Sequence, residues 1–286
     1  MARMAMLQRE AKMSEAKPLA VVTGASSGIG AVFARTLAAR GYDLALVARR
    51  QDRLRQIADE LGNHFHANCT LLCADLTREA ELRSVEEFLI GAAHLQLLVN
   101  NAGFGTLQRF CDAPIESQDA MHRLHVLATM RLTHAALRNL SARNQGAIIN
   151  VSSVAAFAPR PGSTSYYATK AWINCFTEGL YLELKSAGSR VRVQALCPGF
   201  TLTEFHDVLG IDRGFISRGW WMPAEEVVEA SLQGLEKGKL FVVPGLRYKL
   251  LVSLLRLLPR GVLHFALTKG PASLRRERKP QGAGKQ

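Results

Sequence analysis

The sequence is short of cysteines, aromatic residues and long apolar runs, and each shortage removes a class of protein. Its five cysteines (Cys69, Cys73, Cys111, Cys175 and Cys197) are odd in number and include no C-x-x-C pair. A disulfide framework and a structural zinc site are therefore excluded as organising devices; no metal is expected, and a reducing cytoplasm is the expected setting. No stretch reaches the roughly 18 consecutive apolar residues of a membrane-spanning helix. The first seventeen residues also lack the continuous apolar core of a secretory leader. Acidic residues are scarce as well, which leaves a net charge of +12. That excess sits at the ends. Residues 246–286 hold ten basic side chains against Glu277 alone, and residues 1–17 hold four against Glu10 and Glu15. The centre is close to neutral and carries no field for a nucleic acid, so none is expected as a partner.

What remains is a chain of 286 residues, 48% of them hydrophobic, enough for one large α/β domain or two small ones. Short runs rich in β-branched residues alternate with longer amphipathic segments. The expected strands are 19–23, 44–48, 70–74, 97–100, 147–151, 191–196 and 240–243, and helices are expected at 28–40, 52–61, 78–92 and 117–139. Strand–helix alternation of this kind implies a parallel sheet covered on both faces. The expectation is α/β: one doubly wound, Rossmann-type domain over 18–245 with a seven-stranded parallel sheet and a C-terminal helical extension. The appendages are a flexible basic arm (1–17), an amphipathic basic extension (246–270) and a disordered basic tail (271–286).

The first strand runs into Thr23-Gly24-Ala25-Ser26-Ser27-Gly28-Ile29-Gly30 and then a helical pattern. Glycines there permit a tight turn and let backbone and helix N-terminus approach a pyrophosphate, whose charge the free N–H groups favour. At the end of the second strand a carboxylate would hold a ribose 2′-hydroxyl. This sequence instead has Arg49 and Arg50, which suit a 2′-phosphate, so NADP(H) is the expected cofactor. The alternative is a pair of solvated arginines opening a helix. Asp75, before Leu76, stands where a carboxylate could bond an adenine amine or cap the next helix. Asn100-Asn101-Ala102-Gly103 supplies small residues for close approach, or an ordinary turn.

Beyond the fifth strand stand Ser152 and Ser153, then Tyr166 and Lys170 in Ser165-Tyr166-Tyr167-Ala168-Thr169-Lys170. Residues i and i+4 share a helix face, so Tyr166 and Lys170 converge while Tyr167 points elsewhere. A free tyrosine, with a pKa of about 10, is a poor base near neutrality. A nearby ammonium is expected to lower it. A serine hydroxyl can polarise a carbonyl where negative charge develops.

These motifs, in this order and with Pro198-Gly199 after the sixth strand, give a sequence that resembles the short-chain dehydrogenase/reductase family over residues 18–244. The resemblance implies hydride transfer between NADP(H) and a ketone or secondary alcohol. It makes Tyr166 the catalytic acid/base and Ser153 the substrate-orienting hydroxyl, and Lys170 would hold the ribose and tune Tyr166. It assigns cofactor contacts to Gly24, Ser26, Ser27, Gly28, Ile29, Gly30, Arg49, Arg50, Asp75, Leu76, Asn101, Ala102, Gly103, Tyr166, Lys170, Pro198, Gly199, Thr201 and Thr203. One departure is His125, which aligns where the family carries a catalytic Asn. If only that residue's main-chain carbonyl matters, His125 is structural. If the ring intrudes, it adds a titration near pH 6–7.

By the same resemblance, substrate lies between Ser153 and Tyr166 and a lid over 202–222, with Phe205, Trp220 and Trp221 as contacts and His206, Leu209 and Phe215 as further apolar or aromatic members. Such a wall suits an apolar fatty-acyl, steroid-like or aromatic ketone, unless these residues only pack the lid down. The family forms homodimers and homotetramers, whose dimer face would be the helices at 117–139 and 165–185. The leucine-rich, basic stretch 246–267, in which Pro259 ends a helix expected over 246–258, reads either as a peripheral anchor on the inner face of a membrane or as a helix packed on the subunit, on a partner subunit or over the substrate cleft. A rival reading is a nucleotide-binding regulatory or membrane-surface protein of this fold with little turnover.

Overall fold

A strand buried on both faces has no side to give to water, and Ala147–Val151 is buried at all five positions. It sits inside a parallel sheet in the computed structural model, which describes residues 17–205 and 217–268. The strands are β1 (Leu19–Thr23), β2 (Asp43–Ala48), β3 (Cys69–Cys73), β4 (Leu95–Asn100), β5 (Ala147–Val151), β6 (Arg192–Leu196) and β7 (Phe241–Val242). Their spatial order is β3-β2-β1-β4-β5-β6-β7, and all neighbours run parallel. In register, Val21 of β1 faces Ala45 of β2 and Leu98 of β4, and Asn150 of β5 faces Asn100 of β4.

The helices are α1 (Gly28–Ala39), α2 (Gln51–Phe65), α3 (Glu79–Gly91), α4 (Ile115–His122), α5 (Thr129–Arg143), α6 (Thr164–Ser186), α7 (Ala224–Glu236), α8 (Leu246–Leu257) and α9 (Arg260–Thr268). The two-residue period of a strand splits the core into two layers. Ala20 and Val22 join Phe33 and Leu37 of α1 and Val228 of α7 on one face. Val21 joins Leu82 and Val85 of α3 and Leu132 of α5 on the other.

The doubly wound, seven-stranded expectation matches this sheet, but several bounds differ. The helix expected at 52–61 runs on to Phe65 and closes on His66 in the left-handed region (φ 53°), so Gly62 lies inside it rather than ending it. The helix expected at 117–139 is α4 and α5 joined by a π-helical segment, Arg123–Ala128, and it ends on Asn144 (φ 47°). The break in the extension falls at Pro259, where the sequence has it: proline and the residue before it both disfavour helix, so α8 ends at Leu257 and α9 begins at Arg260. Among the described residues no helix is long and apolar enough to cross a membrane, and no cluster of metal-ligating side chains occurs. The arm before Lys17, lid residues 206–216 (with His206, Leu209 and Phe215) and the tail from Lys269 lie outside the described residues.

Candidate active site

In an open parallel sheet, ligands bind beyond the carboxyl ends of the strands where the winding reverses, here between β1 and β4. The glycine loop leaves β1 at that point. Gly24 has φ +66°, and a side chain on it would come within 2.8 Å of Asn101 Nδ2. One on Gly30 would lie 2.3 Å from the Gly24 carbonyl oxygen. Both positions require glycine. The loop is stapled to β4: Asn101 and Ala102 donate backbone N–H bonds to Thr23 Oγ1 (2.9 and 3.0 Å), and Asn101 Nδ2 donates to the Thr23 carbonyl (2.9 Å). Asn101 thus shapes the cradle that the sequence motif suggested, and Ile29 packs against the core behind it.

Arg50 reaches back over this loop. Its Nη2 donates to Ser27 Oγ (2.8 Å) and Ser26 Oγ (3.1 Å), so two hydroxyls and a guanidinium converge where the sequence placed a 2′-phosphate. Glu204 completes the group, accepting from Arg50 Nη1 (3.3 Å) and Arg53 Nη1 (3.0 Å). The sequence reading named neither Arg53 nor Glu204; Arg53, one helical turn from Arg50, was the available signal. Arg49 turns the other way, 4.0 Å from Asp75. Asp75 accepts from the backbone and hydroxyl of Thr77 (3.0 and 2.8 Å). Burial raises its pKa, but those bonds with Arg49 and Arg78 outweigh it and leave the carboxyl below its usual range. Leu76 is buried in the second core layer.

On the other side of the crevice, Ser153 follows β5 and caps a short 3-10 turn, Val154–Phe157, accepting from Ala155 N–H (3.1 Å). Tyr166 and Lys170 share one face of α6 as their spacing requires. Burial pushes the Tyr166 phenol up to about 12, and the neighbouring Ser153 hydroxyl offsets this only in part. Burial likewise pushes Lys170 down to about 8. This corrects the expectation that the ammonium sets the tyrosine: Lys170 Nζ lies 5.7 Å over the ring and donates to the Val151 carbonyl (2.8 Å). Tyr167 turns to a groove lined by Ala155, Pro159 and Ala171.

His125 lies in the π-helical segment, is 1% exposed, and packs edge-on against Tyr166 with ring centroids 6.0 Å apart. Its Nε2 accepts from Phe104 N–H (3.1 Å), so in the neutral ring Nδ1 carries the proton and donates to Thr169 Oγ1 (2.9 Å). Thr169 in turn donates to the Tyr166 carbonyl (3.0 Å). Burial drives the imidazole well below its ordinary pKa, and the charges of Lys170 and His122 add to this. Gly103 leaves room for the ring, since a side chain there would come within 2.8 Å of Nε2.

A strap, Phe200–Phe205, closes the crevice. Pro198 accepts from Val154 N–H (3.0 Å), Thr201 is buried and bridges to Met222, and Thr203 packs over Gly28 at 3.2 Å from the position of an added Cβ. Phe205 reaches Tyr166, with ring centroids 6.0 Å apart. Trp221 instead lies on Phe200 (5.6 Å), and Trp220 packs on the core and on Tyr248 (5.3 Å). Tyr248 of α8 was not singled out by the sequence. Its ring fills the space beside Gly199, where a side chain would come within 2.0 Å of Cζ.

Comparison with known proteins gives the family of the chain. A family model described as short chain dehydrogenase matches residues 18–213. Among curated proteins, the very-long-chain 3-oxoacyl-CoA reductase of Anas platyrhynchos is 31% identical over 193 residues, covering 66% of this chain and 61% of that one. The chain therefore spans about three fifths of the length of that reductase. Among solved structures, a short-chain dehydrogenase from Sphingobium yanoikuyae, in complex with NADPH, superposes with a TM-score of 0.76 at 36% identity, covering 90% of this chain and 99% of that one. The bulky-bulky ketone specific alcohol dehydrogenase from Comamonas testosteroni gives 0.73 at 32%, covering 91% and 98%.

Proposed function

The chain belongs to the short-chain dehydrogenase family, and on that premise we propose that it is an NADP(H)-dependent oxidoreductase interconverting an apolar ketone and its secondary alcohol. The observation that carries the reading is the meeting of two groups at one crevice: Arg50 with Ser26 and Ser27 on one side, Ser153 with Tyr166 and Lys170 on the other. A guanidinium flanked by hydroxyls suits a phosphate dianion by charge-assisted bonds. Gly24, Gly28 and Gly30 leave room for a pyrophosphate at the N-terminus of α1. Lys170, beside Tyr166 on α6, is the residue to hold the nicotinamide ribose, and Thr203, over Gly28, the one to meet the nicotinamide carboxamide.

When bound, NADPH supplies hydride to the carbonyl carbon. The protein does the proton work. Tyr166, held protonated by burial, gives its phenolic proton to the carbonyl oxygen as charge develops there, and Ser153 donates a second hydrogen bond to the same oxygen. The phenolate that remains is stabilised by the Ser153 hydroxyl, and Lys170, whose pKa burial lowers to about 8, can pass a proton on near neutrality. His125, neutral and bonded at both ring nitrogens, orients α6 against this site and takes no proton.

The substrate reading rests on Phe205 beside Tyr166, and on relatives whose names specify 3-oxoacyl-CoA and bulky-bulky ketones. A homo-oligomer belongs to the same proposal. Leu127 and Met130 on the long helix and Leu182 on α6 are exposed on the two elements the resemblance assigned to a dimer face. All five thiols are free, which supports a reducing, cytoplasmic setting. The outer face of α8 favours a second association, with an anionic membrane surface, because its exposed leucines share the helix with exposed Lys249 and are followed by exposed Arg260 at the start of α9.

The experiment is a pair of cofactor titrations on native protein and Arg50→Ala. Native protein should bind NADPH more tightly than NADH. Removing a charged hydrogen-bonding partner costs about 1.5–3 kcal/mol, so Arg50→Ala should weaken NADPH by roughly ten- to a hundredfold and leave NADH unchanged. Equal weakening of both would remove Arg50 from the 2′-phosphate and with it the NADP(H) assignment.

A further inference from the structure

Three features lie outside the chemistry above: the Glu204 ion pairs, the groove beside Tyr167, and the inward face of α8. The last carries the most. The strap leaves the domain at Phe200, and the chain returns at Trp220. One hydroxyl touches both ends: Tyr248 Oη accepts from Phe200 N–H (2.9 Å) and donates to the Trp220 carbonyl (2.6 Å). Next to it, Arg247 Nη1 donates to the Gly219 carbonyl (2.6 Å). Tyr248 is 3% exposed, and the slot it fills exists because residue 199 has no side chain. One helical face further on, the Arg256 guanidinium lies 4.9 Å from the Phe157 ring, bracing the turn that begins at Ser153. The extension thus holds the strap on one side of the substrate position and the Ser153 turn on the other.

We infer that Tyr248 is a positioning residue: by pinning Phe200 to Trp220 it fixes the strap Phe200–Phe205, and so sets how far Phe205 stands from Tyr166 and how large a ketone fits between them. The inference rests on the proposed oxidoreductase reading for its substrate, but the pin itself is a matter of two hydrogen bonds. Without the hydroxyl, the half-buried Phe200 N–H and Trp220 carbonyl lose a shared partner while the ring still fills its slot, so the start of the strap is left to its backbone bonds with Met222 and loosens without a cavity opening.

The test compares native protein with Tyr248→Phe in four readouts. Thermal stability and NADPH affinity should stay close to native, because the ring and the glycine loop are retained. KM for a ketone with two bulky substituents should rise about five- to tenfold at little change in kcat, while KM for a small ketone stays within twofold. Amide exchange at Phe200, read by mass spectrometry of the peptide that spans it, should speed up at least about tenfold. Bulky and small ketones shifting together, or a bulky-ketone KM within twofold of native, would overturn the inference. A native chain that turns over no ketone would count against the proposed function, and exchange at Phe200 would then decide the pin alone: unchanged exchange would refute it.

Discussion

His125, which the family resemblance aligns with a catalytic Asn, is buried and bonded at both ring nitrogens. The sequence left two roles open, a structural ring or an added titration near pH 6–7. The structure favours the first: both nitrogens are bonded, and the buried ring resists protonation. The sign of the pH effect follows. The folded pKa lies below the roughly 6.5 of the unfolded chain, so on acidification the unfolded state takes up a proton that the native state refuses. This site's contribution to stability is present above that value and lost as pH falls below it. The thermal midpoint should therefore drop less between pH 7 and pH 5 in His125→Asn than in native protein. Parallel drops would place the imidazole's pKa near its ordinary value. The same variant should keep activity within about tenfold of native, since the ring has no proton to give in this range.

Tyr166 and Lys170 were legible as residues because helical spacing puts them on one face. Their electrostatics were not, because burial depends on what α6 packs against. Burial moves the phenol up to about 12 and the amine down to about 8, and no spacing rule contains that. Arg50 was legible as a cation at the end of β2. That it would point to Ser26 and Ser27, while Arg49 points to Asp75, depends on the exit angle of α2.

Among the elements, α8 has two faces with different partners. Inward, Tyr248 and Val252 are buried. Outward, Leu246, Leu250, Leu254 and Leu257 are exposed, the last at 82%, in steps of four, four and three residues that keep them on one stripe. Val262 and Phe265 of α9 are exposed as well. Exposed leucines beside basic residues suit an anionic lipid interface. Native protein should co-sediment with phosphatidylserine-containing vesicles at low salt and be released by high salt, and Leu250→Glu with Leu254→Glu should abolish pelleting. No pelleting on anionic vesicles at low salt would remove the membrane reading.

The strands were the most legible elements, because a run such as Ala147–Val151 has no polar face and flanking glycines or turns bound it. The π-helical segment around His125 was not, since its composition keeps the ordinary helical pattern. The inward face of α8 was hidden for a different reason. Tyr248 in a leucine-rich stretch has the look of an interfacial aromatic, and its partners are backbone groups more than 25 positions away. Backbone partners leave no residue signature.

At the scale of the molecule, the sheet order puts the carboxyl ends of β1, β4 and β5 side by side, and each contributes one part of the site. β1 gives the glycine loop, β4 the Asn101 staple and β5 the Ser153 turn. α6 then lays Tyr166 and Lys170 along the crevice, the strap brings Phe205 to Tyr166, and Tyr248 of α8 holds the start of the strap. The seven-stranded architecture followed from the alternation of segments. Which groups the extension would meet did not, because Tyr248 is bonded to backbone groups of Phe200 and Trp220.

Ketone reduction at this crevice is proposed to run through Tyr166. The most direct test follows NADPH consumption in the presence of bulky apolar ketones, with native protein and Tyr166→Phe side by side. Native protein should consume NADPH only when ketone is present. Tyr166→Phe should bind NADPH as native protein does and lose about a hundred- to ten-thousandfold in kcat/KM, the range expected for loss of a general acid. Ketone-dependent turnover that survives in Tyr166→Phe within a few fold of native would contradict the account.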